Sequence, residues 1–401
     1  MGTDKLKKIL FKGDKIVWIV FITLCAISWV EVFSATSRQT YQVESYWSPI
    51  IKHSAFLVGG IFVVWFFHNM RMPWIKKFTF GIYWLGLAGL IWAQFDPSSQ
   101  INDSARWINI FGLTFQPMEF SKMGIVMVTA LFLAQNQEDG GTKDTALKPI
   151  LLYCIPPILI ILKENLSSAA LLIVTLYMML FIARIPRYQR WRLLGICAAI
   201  GAIGLSVVML TPDSAAEDEG LGQKIVTWKH RIENAIKGSN GISAEDFDSG
   251  DDQMVYSKIA IASSHILGCG PGNSIQRDYI PHAYSDYIYA VIIEELGLLG
   301  GFAVLMLYIT LLYRCGKIAR RCEDPYPAFL VMGIGLIIVM QAMMHMTISV
   351  STFVTGQPLP LLSQGGTSVI INSIYIGFIL CISRYANKVS NKTTEVEKSE
   401  N

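Results

Sequence analysis

The chain has 401 residues, of which 52% are hydrophobic and 16% charged, with a formal net charge of +3. A soluble protein of this size carries about 25% charged residues, so this composition, with a mean hydropathy of +0.43, excludes an ordinary soluble domain. The net charge is too small to argue for nucleic acid, and no zinc-finger spacing or recognition module is present.

The N-terminal "MGTDKLKKILFKGDK" is basic and leads into an apolar run over 16–34. That run is long for the core of a signal peptide and is followed by many others, so it is expected to stay attached as a first membrane helix. Further apolar stretches are drawn at 52–69, 78–94, 119–135, 149–163, 168–185, 192–210, 284–313, 326–345 and 365–383. The fold class expected is an all-α polytopic membrane protein, a bundle of about ten transmembrane helices. Residues 1–388 would form one integral membrane domain and 389–401 a polar cytoplasmic tail. With the N-terminus inside, the basic clusters around Lys7, Arg71, Arg187, Arg320 and Arg384 fall on one side, as the positive-inside rule requires.

A segment over 211–283 breaks the rhythm of short connections. Its first two thirds are acidic and polar and are expected to form an exterior loop between spans seven and eight. Its last third, "MVYSKIAIASSHILGCGPGNSIQRDYIPHAY", reads as a short re-entrant or surface helix followed by a turn. The seven cysteines are odd in number, and only Cys269 lies near the outer side, so no disulfide framework is expected.

Ionisable residues beside apolar spans need a reason, because lipid rejects them. In "SARWINIFGLTFQPMEFSKM", Arg106 precedes the fourth span, which Gln116, Pro117, Glu119 and Lys122 open. Pro117 suits a first helical turn, and Glu119 and Lys122 share a face. They form either a structural ion pair or part of a cationic site for phosphate. In "YIPHAYSDYIYAVIIEELGLLG", Asp286 opens an apolar helix, with Glu294 and Glu295 two turns deeper; these acids need not touch, yet could line one cavity. In "TGQPLPLLSQGGTSVIINS", Pro358 and Pro360 forbid regular helix, and Ser363 and Ser368 belong to a polar set. That segment is either a rigid packing loop or the lining of a sugar or pyrophosphate site. "WKHRIENAI" at 228–236 either meets an anionic headgroup or balances the acidic loop. No P-loop, Rossmann turn, HExxH or GxSxG elbow occurs.

At these clusters the chain resembles the shape, elongation, division and sporulation (SEDS) family of peptidoglycan glycosyltransferases. The likeness is carried by "RWI…FQPMEFSK", "GCGPGNSIQRDYIPHAYSDYIYAVIIEELGLLG" and "TGQPLPLLSQGGTSVIIN", with "FSATS" at the end of the first span, and extends over about 15–385. The resemblance implies a ten-helix bundle with cytoplasmic ends in the cell inner membrane. It implies polymerisation of lipid II, with undecaprenyl pyrophosphate as leaving group. Asp286 then corresponds to the essential aspartate and Glu294 to a second important acid. Arg106 and Lys122 correspond to basic residues near the headgroup cavity, with Glu119, Gln116, Ser363 and Ser368 as further substrate-binding candidates. Partners implied are a class B penicillin-binding protein transpeptidase and other divisome proteins. A divalent cation, Mg or Mn, could assist the pyrophosphate, although no dedicated cage is visible. The chain departs from the family pattern at Tyr284, Asn165 and His345. Its short length and the lack of a large insertion after the seventh span suggest the septal division member, with the rod-elongation member as the alternative, and a lipid II flippase or a non-catalytic scaffold for a transpeptidase as rival classes.

Overall fold

The computed structural model describes residues 12–36, 48–95, 100–101, 104–105, 108–110, 113–212, 252–280, 283–350 and 357–400, with scattered positions between 222 and 233. Its helices are α1 (Lys15–Ala35), α2 (Ser48–His68), α3 (Met72–Phe95), α4 (Pro117–Gln135), α5 (Leu147–Glu164), α6 (Leu166–Ile182), α7 (Arg187–Leu210), α8 (Asp252–Ser263), α9 (Ile288–Ala319), α10 (Pro325–Val350) and α11 (Gly366–Glu400). Small antiparallel hairpins join some of them: Gln100–Ile101 with Ser104–Ala105, Ile108–Ile110 with Leu113–Phe115, and Gln137–Glu138 with Gly141–Thr142.

Among the described residues nine helices are long and apolar enough to cross a membrane, and the 17-residue α6 supplies the tenth apolar helix. The short α6 has a local cause. Only Asn165 separates it from α5; its backbone is extended, and its side chain caps α6 by accepting from Ser168 N at 3.1 Å. Two boundaries differ from the sequence reading. The eighth stretch begins as helix at Ile288 rather than 284, which leaves Asp286 in the preceding turn. The last helix continues to Glu400, through the segment read as a polar tail.

The contacts at the two ends of α1 and α9 give the direction of packing. Ser34 meets Glu295 at one end, and Asp14, the N-cap of α1, is paired with Arg314 at the other. The helices run antiparallel, and one end of the bundle carries 264–280, 283–287 and 357–366. The opposite end carries Arg71, Lys76, Arg187, Arg314, Arg320 and Arg384, as the one-sided basic pattern predicts.

Small residues let the inner helices approach closely. A Cβ on Gly86 of α3 would lie 2.8 Å from Ser121 Cα, and one on Gly124 of α4 would lie 2.7 Å from Tyr83 Cα. Likewise α2 meets α11, where a Cβ on Gly60 would stand 2.6 Å from Ser373 Oγ. Helices α4 and α10 are buried over most of their surface, whereas α7 buries only Val208.

Candidate active site

Six of the nine residues in the segment 357–365 bond distant parts of the chain. Its two prolines lack backbone donors and disfavour helix, and many of its polar groups find partners outside it. Gln357 donates to Ser168 Oγ at 2.7 Å, and its carbonyl meets His345 Nδ1 at 2.7 Å. The Pro358 carbonyl accepts from Gln341 at 3.1 Å, the Pro360 carbonyl from Tyr308, and the Leu362 carbonyl from Ser28 at 2.9 Å. Leu361 is buried and holds a φ of 66°. A non-glycine residue in that region costs on the order of 1–3 kcal/mol and persists only where its surroundings over-determine it. The network around it does so.

This segment in turn grips the residues next to Asp286. Ser363 donates its hydroxyl to the Ser285 carbonyl at 2.8 Å while accepting from Leu359 N at 2.7 Å. The Gln364 amide donates to the Tyr284 carbonyl at 2.9 Å. Asp286 therefore sits half-buried in a turn whose preceding two carbonyls are fixed.

A second segment, 264–280, is docked beside it. The chain crosses α9 where Gly297 breaks the helix with φ 75°, and Gly268 opposes it with φ 70°. A Cβ on Gly297 would fall 2.2 Å from the Ile266 carbonyl oxygen, so only glycine fits. Four backbone bonds seal the crossing: Cys269 N to Glu294 O, Gly270 N to Glu295 O, Leu298 N to His265 O and Leu299 N to Ile266 O.

The two acids deeper in α9 serve this docking. Glu294 accepts from Ser274 Oγ, from Ile275 N at 3.0 Å and from Gln276 N at 3.3 Å. Glu295 accepts from Gly272 N at 2.8 Å, from Ser274 N and Arg277 at 3.3 Å, and from Ser34 of α1. Both carboxylates thus replace the missing backbone partners of a glycine-rich turn. The acids expected to line a cavity with Asp286 spend these oxygens on the 264–280 segment.

Lys122 has a similar fate. Its ammonium lies 2.6 Å from Glu119 and 3.1 Å from Gln341 Oε1, and its side chain has 0% exposure. As placed it meets protein rather than solvent, which favours the ion-pair reading over direct contact with phosphate. Through Gln341 the pair reaches the Pro358 carbonyl and so supports the segment that grips Asp286. Gln116 precedes α4 as its N-cap residue and is buried with no partner at Oε1. Ser368 is buried and accepts from Asn372 at 3.2 Å. Arg106 lies outside the described residues, as do Trp107, Pro281 and His282. From the cluster at 228–236, Lys229 bonds the Thr211 carbonyl at 3.1 Å, a local contact.

Sequence reasoning missed Gln341, Ser168, Tyr308 and Arg277 as members of this network. Gln341 carried a usable signal, being a polar residue in an otherwise apolar span. Among the described residues no group of three His, Cys, Asp or Glu side chains is placed to hold a metal.

The arrangement corresponds to known proteins along almost its whole length. The family model described as cell cycle protein, that of FtsW, RodA and SpoVE, matches residues 14–388. The chain belongs to this family. Among relatives of the FtsW, RodA and SpoVE family, the probable peptidoglycan glycosyltransferase FtsW of Halomonas elongata is 29% identical over 377 residues, covering 90% of this chain and 89% of that protein. The protein of the same description from Alcanivorax borkumensis is 30% identical over 339 residues, 82% of each. Of solved structures, a chain from a peptidoglycan synthase complex that coordinates polymerization and crosslinking matches with a TM-score of 0.70 at 19% identity, covering 93% of this chain and 98% of that one. The rod shape determining protein RodA of Thermus thermophilus matches with a TM-score of 0.62 at 17% identity, covering 93% and 97%. The family is thus established by the family model, and the polytopic helical fold by the solved structures.

Proposed function

We propose that this chain is a peptidoglycan glycosyltransferase that polymerises lipid II into glycan strands in septal cell-wall synthesis, with Asp286 as general base. One observation carries the proposal: the turn that holds Asp286 is bonded through the Tyr284 and Ser285 carbonyls to the 357–365 segment, almost 80 positions on, while the 264–280 segment that precedes it is docked on α9. The FtsW name of the relatives, over about nine tenths of both chains in the first of them, supports the reaction class.

In the reaction, the acceptor's sugar hydroxyl loses its proton to the Asp286 carboxylate as its oxygen attacks the anomeric carbon of the donor. The bond from that carbon to the pyrophosphate oxygen breaks, and undecaprenyl pyrophosphate departs with the electron pair. Direct displacement inverts the anomeric centre and needs no covalent intermediate. Placing the base in a fixed turn beside a docked wall is the protein's contribution, because orientation accounts for much of the rate in such a transfer. Arg106 is the candidate for stabilising charge on the leaving group.

The Asp286 end faces the exterior and both termini the cytoplasm, in the inner membrane, by the basic residues at the opposite end. The fold of the synthase-complex chain supports a class B penicillin-binding transpeptidase as partner, and other divisome proteins join it in septal synthesis. The test is direct: purified chain with a partner transpeptidase and lipid II should yield polymeric glycan on gels. Lipid II bound or moved across a vesicle membrane but never polymerised would replace this reading with transport.

A further inference from the structure

The turn between α2 and α3, residues 69–71, joins two helices that pack with different neighbours. Phe67 of α2 stacks edge-on against Phe378 of α11 at 5.4 Å, while α3 is locked to α4 through Gly86 and Gly124. The two helices leave a groove between them, about 410 Å³ in volume and almost wholly apolar. Its walls include Phe66, Phe67, Phe78, Leu85 and Phe378. Gly81 lies on it, and a Cβ there would meet nothing within 4 Å. Trp74, Phe78, Gly81 and Leu85 follow one another at helical spacing along one face of α3, with a side chain missing at Gly81.

The neighbouring end of the bundle is cationic. Arg71 is exposed on the turn itself, and Arg384 bonds the carbonyls of Asn69 and Met70, the latter a wall residue of the groove. Lys77 lies 5.3 Å over the ring of Trp74, which stacks on Phe78 at 5.8 Å. An exposed tryptophan beside lysine and arginine is how a membrane helix marks the headgroup level. A hydrocarbon slot below three cations has the chemistry of an anionic phospholipid: acyl chain in the slot, phosphate among the cations.

We propose that this groove is a binding site for an anionic phospholipid of the leaflet at the basic end. It lies at the opposite end of the bundle from Asp286, so it is separate from the reaction site. The lipid fills the space between two helix pairs on their membrane-facing side, and so adds a further tie between α2–α11 and α3–α4.

The test uses the full chain purified in mild detergent, stripped of lipid and then offered phosphatidylglycerol or phosphatidylcholine at equal concentration. Native mass spectrometry should show phosphatidylglycerol retained in several-fold excess over phosphatidylcholine. Gly81→Leu, which fills the slot, should abolish that excess, while Gly81→Ala keeps most of it. The surface variant Arg71→Ala/Lys77→Ala should lose the preference for the anionic lipid, with a monodisperse profile on size exclusion as proof of folding. Equal retention of the two lipids by the wild type overturns the proposal. An excess unaffected by both Gly81→Leu and the double variant also overturns it. A wild-type groove that stays lipid-free, as one reserved for a partner's helix would, overturns it too.

Discussion

Ser363 donates its hydroxyl to the carbonyl of Ser285, the residue immediately before Asp286, across 78 positions of sequence. The same oxygen accepts from the Leu359 amide, so one buried side chain closes the 359–363 turn and fixes the proposed base. Asp286 is thereby positioned by a segment that need not touch substrate itself.

Ser363→Ala removes the hydroxyl that bonds the part-buried Ser285 carbonyl and the buried Leu359 amide. Such a loss costs about 1–3 kcal/mol for each buried group left unsatisfied, so Tm in detergent should fall. Polymer formation should fall further than stability explains, by up to about a hundredfold, because small displacements of a reacting group carry that penalty. Loss of stability with undiminished activity of the folded fraction would show that the Ser285 contact does not position Asp286.

The Lys122–Glu119 pair separates a structural role from a substrate role. Lys122→Met strands a buried carboxylate and should destabilise by about 3–5 kcal/mol. Glu119→Gln/Lys122→Met removes both charges and should restore most of the Tm, and with it the activity. A double variant that folds like the wild type yet makes no polymer would return Lys122 to the phosphate site.

Gly297→Ala forces alanine into a positive-φ, extended backbone that is essentially confined to glycine, at about 1–3 kcal/mol, and drives a Cβ into the Ile266 carbonyl. The 264–280 segment should come off α9, seen as new protease cleavage there and loss of polymer. Unchanged protection of that segment would contradict the crossing described above.

The thiol of Cys269 gives a pH readout of the same segment. Burial raises its pKa, and the carboxylates of Glu294 and Glu295 raise it further. A raised pKa means less thiolate at neutral pH, so an impermeant thiol reagent should label Cys269 in intact cells slowly. The rate should climb about tenfold per pH unit to beyond the usual thiol pKa of about 8.5. A cysteine introduced in the tail after Arg384 should stay unlabelled until cells are opened. The opposite accessibility would invert the topology.

Much of this fold was legible in sequence because a bilayer imposes a length and a polarity on every span. The apolar stretches, the one-sided basic clusters and the turn at "GCGPG" all follow from local chemistry, and Gly268, Gly270 and Gly272 do take positive φ. The site was legible only in its ingredients. That Pro358 and Pro360 break the helix can be read locally; that Leu362 meets Ser28, 334 positions away, cannot. Glu294 and Glu295 looked like cavity acids because spacing reports which face a residue occupies, not which backbone amides will reach it. Lys122 was open to two readings for the same reason, and its partner Gln341 lies 219 positions on.

The central claim is that the Asp286 carboxylate takes the proton in glycan polymerisation. Asp286→Asn keeps size and polarity and removes only the base. With a partner transpeptidase and lipid II, the polymerisation rate of the purified variant should fall about 10²–10⁴-fold, the usual loss for a general base, while its Tm and lipid II binding stay at the wild-type level. Glycan of the same length and amount from both proteins would contradict it.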